Sequence, residues 1–313
     1  MKISAVAPWF GSKRTMADEI IVELGTSHTA YFEVPCGSLA VLMAKDPVGH
    51  EMAIDMHGDL INLAWCLKDR RLAEDLYDRC FRTLYHEGLF DEAKLVFRQG
   101  DPPEVPDVDR AHAFMVVSWI GRNGVAGTER VNYQIAARWT PNGGGGAQRW
   151  KSAVDSIPAW HDRLRNVTIL RRDLFDVLQK IEDNSQAAIY CDPPYISDTR
   201  SSAGSGGGGR YEFDADDNWP AVRKILNLDP EEALPDNAWH RALAVLLKRF
   251  RSTRIVLSYY ASPLLDDLYP EWTHRCMARS KNLGVQNKRG ATRSEAPEVL
   301  LMNGPSFDGG RLF

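Results

Sequence analysis

Short apolar runs and longer amphipathic segments alternate along the chain, and they predict the strands and helices of an α/β fold. Continuous apolar runs bounded by polar or glycine-containing turns are typical of buried strands in a largely parallel sheet. About seven strands are expected, at residues 29–34, 49–55, 167–170, 187–191, 254–260, 272–277 and 298–302. Apolar positions with helical spacing predict helices at 15–24, 39–44, 59–65, 150–164 and 236–251, and Asp173-Leu174-Phe175 is expected to open another helix.

The stretch from residue 67 to residue 150 breaks this alternation. It contains helical patterns at 72–85 and 111–120, separated by prolines, and no clear strand. We therefore predict one α/β domain, formed by residues 1–66 and 151–313, with an inserted and mainly helical domain at 67–150.

The overall composition is that of an ordinary globular protein. Of 313 residues, 44% are hydrophobic and 26% are charged, and the net charge of −4 argues against a wholly basic nucleic-acid coat. The five cysteines are scattered and form no CxxC pair, so neither a disulfide framework nor a zinc site is indicated. A reducing cytoplasm is the expected compartment, because neither a signal-peptide pattern nor a membrane-spanning run is evident.

One local skew changes this picture of charge. Between residues 110 and 151 the charged side chains are nearly all basic, and amides and aromatics lie among them. Such a mixture in loop-like sequence suits a nucleic-acid surface, although a polar insert with solvated arginines is the simpler alternative. The basic residues are Arg110, Arg122, Arg130, Arg138, Arg149 and Lys151, with Glu129 as the one acid.

The run Asp192-Pro193-Pro194-Tyr195 directly follows the predicted strand 187–191. In open α/β sheets, ligands bind outside the carboxyl ends of the strands. An acceptor-only carboxylate, carbonyls beside two prolines and a flat ring suit a planar group with an amino donor, such as a nucleobase. An ordinary Asp-Pro-Pro turn is the alternative.

A second set of polar residues follows the first two predicted strands. Strand 29–34 runs into Pro35-Cys36-Gly37-Ser38 and then a helix, which is the opening of a nucleotide-binding α/β fold. Asp55 ends the second strand, about 20 residues after the glycine turn, where an acid is placed to bind ribose hydroxyls. Lys13 precedes the first helix and could meet an anionic ligand group there, or could be a solvated surface lysine.

Together these segments resemble the Dam-type, or D12 class, adenine-specific DNA methyltransferases, whose parts occur in the same order along the chain. Trp9-Phe10-Gly11-Ser12-Lys13 is similar to the family's Trp-x-Gly-Gly-Lys. Residues 33–40 resemble Glu-Pro-Phe-x-Gly-Ser-Gly-Ala, with Leu39 in place of the second glycine. The Asp192–Tyr195 tetrad is intact.

The resemblance implies a Rossmann-like fold that uses S-adenosylmethionine, releases S-adenosylhomocysteine and requires no metal. The implied cofactor-binding residues are Trp9, Lys13, Glu33, Pro35, Gly37, Ser38, Asp55, Asp173, Leu174 and Asp192. The implied catalytic residues are Asp192, Pro193, Pro194 and Tyr195. The inserted domain would recognise the target in double-stranded DNA, and the expected DNA-binding residues are Arg122, Asn123, Arg130, Asn132, Arg138, Lys288 and Arg289.

The implied reaction is direct methyl transfer to the N6 amine of an adenine flipped out of the duplex. Asp192 and the carbonyl of Pro193 would accept hydrogen bonds from the amine, and Tyr195 would stack on the base. Two alternatives stay open: an enzyme of the same fold that acts on RNA or a protein amide, and a DNA-binding protein with a decayed cofactor site. The expected setting is the cytoplasm of a bacterial or phage-infected cell, as a monomer or a homodimer.

Overall fold

The structure is a computed structural model that describes residues 5–9, 11–97, 102–121, 135, 145–196, 219–277 and 297–308. The strands are β1 Ala30–Glu33, β2 His50–Asp55, β3 Thr168–Arg171, β4 Ala187–Cys191, β5 Arg254–Tyr260, β6 Thr273–Met277 and β7 Glu298–Met302. The helices are α1 Ala17–Leu24, α2 Ala40–Ala44, α3 Gly58–Lys68, α4 Arg70–Arg82, α5 Glu87–Phe97, α6 Val108–Ile120, α7 Gly146–Leu164, α8 Leu174–Leu178, α9 Trp219–Leu226, α10 Ala238–Leu247 and α11 Pro263–Leu268.

The strands form a seven-stranded sheet in the order β3-β2-β1-β4-β5-β7-β6. Strand β2 is parallel to both β1 and β3, and β4 is parallel to β5. Strand β7 is antiparallel to β5 and to β6. The mixed α/β architecture and the seven strands expected from the sequence are therefore confirmed.

The described chain divides into two compact units. The first contains the described residues up to 21 and from 30 to 174, and the second contains 22–29 and the described residues from 175 onward. Helices α4, α5 and α6 pack within the first unit, against one another and against α3 and α7. The separate domain expected at 67–150 stays a prediction, since 98–101, 122–134 and 136–144 lie outside the described ranges.

Side-chain caps fix where three helices of the first unit begin. His57 accepts a hydrogen bond from Leu60 N at the start of α3, and Asp69 accepts one from Leu72 N at the start of α4. Asp107 caps α6 in the same way. These acceptors satisfy backbone N–H groups that have no partner within the helix.

Buried polar contacts lock α6 onto α3. The Arg110 Nε atom donates to Asp59 Oδ1 at 2.6 Å, and a second guanidinium nitrogen donates to Oδ2 at 3.2 Å. Asn62 and the backbone of Asp107 exchange two further hydrogen bonds, each of 2.8 Å. These two pairs of hydrogen bonds fix the register in which α6 packs against α3.

The second unit is held together at its edge by a buried acid. Glu23, at the end of α1, accepts hydrogen bonds from Arg275, from Ser306 and from the backbone of Phe307. Burial raises the pKa of this carboxyl, but these hydrogen bonds outweigh burial and the pKa is lowered. The acid therefore fastens the segment after β7 to the rest of the unit.

In the part of the chain that the structure describes, no helix is both long and apolar enough to cross a membrane.

Candidate active site

A glycine turn follows β1 in the first unit. Gly37 has a φ of +45°, and a Cβ added there would lie 3.2 Å from the indole nitrogen of Trp9. Any other residue would be strained by that φ and would crowd the indole ring. The sequence-predicted residues Trp9 and Gly37 are thus brought into contact.

Asp55 fastens this turn to the end of β2. Its Oδ2 accepts the backbone N–H of Gly37 at 2.8 Å, and its Oδ1 accepts that of His57 at 2.9 Å. Burial raises the pKa of the Asp55 carboxyl, and the two hydrogen bonds oppose that rise. A carboxylate has about four acceptor sites, so capacity for a ligand hydroxyl is left.

The segment that carries Lys13 is joined to the same turn. Ser12 Oγ lies 2.9 Å from Ser38 Oγ, and Val6 N donates to the Ser38 carbonyl at 3.1 Å. Lys13 itself is only 4% exposed and donates to the Gly11 carbonyl at 2.7 Å. It is therefore not a solvated surface lysine, and the serine that replaces a family glycine links the two motifs.

Glu33 has a structural role that the sequence did not reveal. Its buried Oε2 accepts hydrogen bonds from Leu42 N and from Tyr31 Oη, each at 2.7 Å. Leu39 is the N-cap residue of helix α2, where it has a φ of 60° and its side chain makes no cap hydrogen bond. Glu33 supplies the missing cap acceptor, and its contact with a cofactor stays a prediction.

The ends of β2 and β3 bring Asp173 to this side of the unit. Asp55 pairs with Arg171 in the parallel ladder, and Arg172 N donates to the Asp55 carbonyl at 3.1 Å. Asp173 follows directly and is half-buried, and Leu174 is the buried first residue of α8. Pro35, in the turn after β1, is also half-buried.

His57 belongs to this cluster, although sequence reasoning missed it. Its ring lies edge-on to Trp9, with the ring centroids 5.0 Å apart and an interplanar angle of 77°. The ring of Phe114 in α6 lies 5.8 Å from it as well. The available signal was its position two residues after Asp55, at the end of a strand.

The donor set of the first unit fits a nucleoside cofactor with an amino-acid tail. It offers a cation at Lys13, a carboxylate at Asp55, and an indole beside a turn without a Cβ at Gly37. In that order, they suit the carboxylate of the ligand, its ribose hydroxyls and a flat group that approaches the backbone closely. In the described ranges, no cluster of His, Cys, Asp or Glu side chains could hold a metal ion.

The tetrad lies in the second unit, directly after β4, whose residues are all buried. Asp192 and Pro194 are half-buried, whereas Pro193 and Tyr195 are buried. Cys191 ahead of the tetrad is buried, which raises the pKa of its thiol well above the usual value. A thiolate nucleophile is therefore disfavoured at this position.

Tyr195 is more enclosed than a base-stacking role suggests. Its side chain is 3% exposed, and its ring lies 4.5 Å from that of Tyr260 at an angle of 78°. The Tyr195 hydroxyl donates to Glu298 Oε1 at 3.4 Å. Burial, with Glu298 and Asp192 nearby, raises the pKa of Tyr260 to about 12. Stacking of Tyr195 on a base stays a prediction.

The seven expected DNA-binding residues lie outside the described residues. They are Arg122, Asn123, Arg130, Asn132, Arg138, Lys288 and Arg289. Three other basic residues of the 110–151 stretch are described, and each has an intramolecular partner. Arg110 is buried against Asp59, Arg149 donates to the Trp119 carbonyl, and Lys151 pairs with Asp155. Arg110 in particular was wrongly grouped with a solvent-facing basic surface.

Comparison with known proteins agrees with the geometry. No curated protein matches the sequence significantly. The profile of the D12 class N6 adenine-specific DNA methyltransferases matches residues 9–223, which include the Trp9 segment, the Gly37 turn, Asp55 and the tetrad. Since this match spans more than half of the 313 residues, the chain belongs to the D12 class of N6 adenine-specific DNA methyltransferases.

Proposed function

We propose that the protein transfers a methyl group from S-adenosylmethionine to the N6 amine of adenine in double-stranded DNA. The observation that carries this proposal is the tetrad Asp192–Tyr195 immediately after the buried strand β4, within the region that matches the family. Membership of the family supports adenine methylation in DNA. We infer the cofactor, the duplex substrate and the roles of the residues.

The first unit would hold the cofactor. Lys13 would bind the carboxylate of its amino-acid tail, Asp55 its ribose hydroxyls, and Asp173 with Leu174 its adenine. Trp9 would lie beside the ligand at the Gly37 turn, and Pro35 and Ser38 would line that turn. S-adenosylmethionine, when bound, supplies an electrophilic methyl group.

The second unit would prepare the target amine. The lone pair of an exocyclic adenine amine is delocalised into the ring, so the nitrogen is a weak nucleophile. Asp192 and the Pro193 carbonyl would accept its two N–H groups and draw the nitrogen toward tetrahedral geometry. The carboxylate would also stabilise the positive charge that develops on nitrogen. Positioning of the amine in line with the methyl group would supply much of the remaining rate enhancement.

Base flipping would bring the adenine to these acceptors, since a paired base hides its amine inside the duplex. For Tyr195 to stack on the flipped base, its ring has to become more accessible than the 3% exposure seen here. We therefore expect the fluorescence of a 2-aminopurine placed at the target position to rise on binding, and to be lower in wild type than in a Tyr195→Ala variant.

The direct test uses the full chain, labelled S-adenosylmethionine and duplex DNA of mixed sequence, with modified adenines mapped by sequencing. We expect methylation by wild type and none by Asp192→Ala. The matched control is Asp267→Ala, an exposed acid of the same unit, which should retain full activity. Full activity of Asp192→Ala would rule out the mechanism.

The same assay separates the alternatives. RNA and protein pools offered in place of DNA should stay unlabelled if the substrate is DNA. A DNA-binding protein with a decayed cofactor site would show no heat of binding when titrated with S-adenosylmethionine. We expect measurable binding, because Lys13, Gly37 and Asp55 are present in the first unit.

A further inference from the structure

We propose that His57 is a positioning residue for the cofactor site and that its imidazole holds the indole of Trp9 against the Gly37 turn. This proposal deepens the function proposed above and rests on it. It assigns to His57 a role in cofactor affinity that is separate from its role as a helix cap.

Hydrogen bonds of the backbone and of the ring restrain His57. His57 N donates to Asp55 Oδ1 at 2.9 Å, and the ring Nδ1 accepts from Leu60 N at 3.1 Å. The residue is 5% exposed. With the main chain and one ring nitrogen both engaged, the ring has little freedom to turn.

The fixed ring meets Trp9, which is only half-buried and belongs to no helix or longer strand. An edge-to-face contact at 5.0 Å is near the favoured separation for aromatic pairs. The same indole also lies against Gly37, where its nitrogen is 3.2 Å from the position of an added Cβ. Trp9 therefore contacts both the imidazole and the turn.

Helix α6 also contacts the imidazole of His57, through Phe114. Phe114 is buried, and its ring lies 5.8 Å from that of His57. The helix is itself anchored, because Arg110 binds Asp59 and the Trp119 Nε1 atom donates to the Val6 carbonyl. Phe114 therefore restricts the movement of the His57 ring on the side that it contacts.

This arrangement accounts for the residue type. Ser, Thr, Asp and Asn are the preferred caps of helices, and a cap alone would be served by any of them. Histidine provides a cap acceptor and also a flat ring that contacts both Trp9 and Phe114. A substitution that keeps the cap and removes the ring separates the two roles.

The test is His57→Asn, assayed for methylation with varied cofactor concentration and for cofactor binding by calorimetry. Asparagine caps helices well, so we expect the Tm to stay within about 2 °C of wild type. We expect Kd and KM for S-adenosylmethionine to rise about tenfold, as for the loss of one aromatic contact. The kcat at saturating cofactor should be unchanged, since no reacting group is removed.

Two further variants make the result specific. His57→Ala removes both the ring and the cap, and it should show the same rise in Kd together with a fall in Tm of a few degrees. Asp69→Ala removes the exposed cap of α4, the next helix, and it should lower the Tm similarly with no change in Kd. A rise in Kd for Asp69→Ala would mean that loss of stability alone weakens binding, and the proposal would be wrong.

The outcomes separate this inference from the function on which it rests. If wild type binds no S-adenosylmethionine in calorimetry, the proposed function fails. If wild type binds it and His57→Asn binds it equally well, the proposed function stands and His57 is a helix cap only. Weaker binding by His57→Asn with an unchanged Tm supports the positioning role.

Discussion

The carboxylate of Asp55 accepts the backbone N–H of Gly37 at 2.8 Å, so the acid that ends β2 fixes the turn that follows β1. The sequence predicted Asp55 as a ligand of ribose hydroxyls, and it is also part of the framework. Its second oxygen accepts the backbone N–H of His57, the N-cap residue of α3. One side chain therefore sets the geometry of two loops at the proposed cofactor site.

Asp55→Asn should weaken cofactor binding without unfolding the protein. The amide has one acceptor oxygen where the carboxylate has two, so one backbone N–H loses its partner. A charge-assisted hydrogen bond is worth about 1.5–3 kcal/mol, and we expect Kd for S-adenosylmethionine to rise by about 10- to 100-fold in calorimetry.

The stability of the same variant tests the pKa shift. Burial raises the pKa of Asp55 in the folded state, so the group stabilises the protein below its unfolded pKa, and this contribution is lost as the pH rises through the folded pKa. Asparagine does not titrate. Wild type should thus lose stability relative to Asp55→Asn as the pH is raised from about 4, measured by urea unfolding. The opposite trend would contradict a raised pKa.

Leu39→Gly should destabilise the protein even though it restores the family's glycine. Leu39 has a φ of 60°, which costs about 1 kcal/mol for a residue with a Cβ, but its side chain is fully buried. Loss of a buried leucine costs about 2–5 kcal/mol, so a net loss of about 2 kcal/mol is expected in urea unfolding. Asn227→Gly is the matched control, because Asn227 has a φ of 54° and is exposed. It should change stability by less than about 0.5 kcal/mol.

Arg110→Ala should be one of the most destabilising changes in the first unit. It would leave the buried carboxylate of Asp59 without its guanidinium, at a cost of about 3–5 kcal/mol. The double variant Asp59→Leu with Arg110→Met should regain most of that loss, since apolar replacements of a buried ion pair are often neutral. Urea unfolding of the two variants checks this, and a double variant that is no more stable than Arg110→Ala would contradict it.

Asp183→Asn should lower stability most above about pH 4. Burial raises the pKa of Asp183, but hydrogen bonds from the backbone of Thr253, Arg251 and Ser252 outweigh burial and hold the pKa at about 2. The depressed pKa stabilises the fold above the unfolded pKa, and this contribution is lost as the pH falls toward 2.

The expected cost of Asp183→Asn at pH 7 is modest. The carboxylate is exposed, so solvent screening reduces its effect to about 1 kcal/mol. The difference from wild type should shrink as the pH falls from 4 to 2 in thermal unfolding. A difference that is constant over this range would show that ionisation of Asp183 plays no part.

The strands were predictable because each is a short apolar run with polar residues at both ends. The intervals 187–191, 254–260 and 298–302 coincide with β4, β5 and β7. Helices α5, α9 and α11 were not predicted. Helix α11 is a short segment after Ser262 and Pro263, and its signal is a cap rather than a long apolar period.

The proximity of candidate residues was predictable where a motif names them, and not where packing decides their contacts. Trp9, Gly37 and Asp55 lie together in the first unit, and their roles at a cofactor stay predictions. His57 was missed, because ring contacts with residues far apart in sequence leave no local pattern. The enclosure of Tyr195 by Tyr260 was missed for the same reason.

The Asp59–Arg110 pair also indicates where segments of the first unit could be exchanged with a relative. Recombination at residue 67 with a relative that lacks the pair would leave a buried charge without its partner. A junction placed after Gly121 would keep the pair, together with Asn62 and Asp107, in one parent. Chimeric proteins should therefore fold when α3 through α6 are inherited as a block.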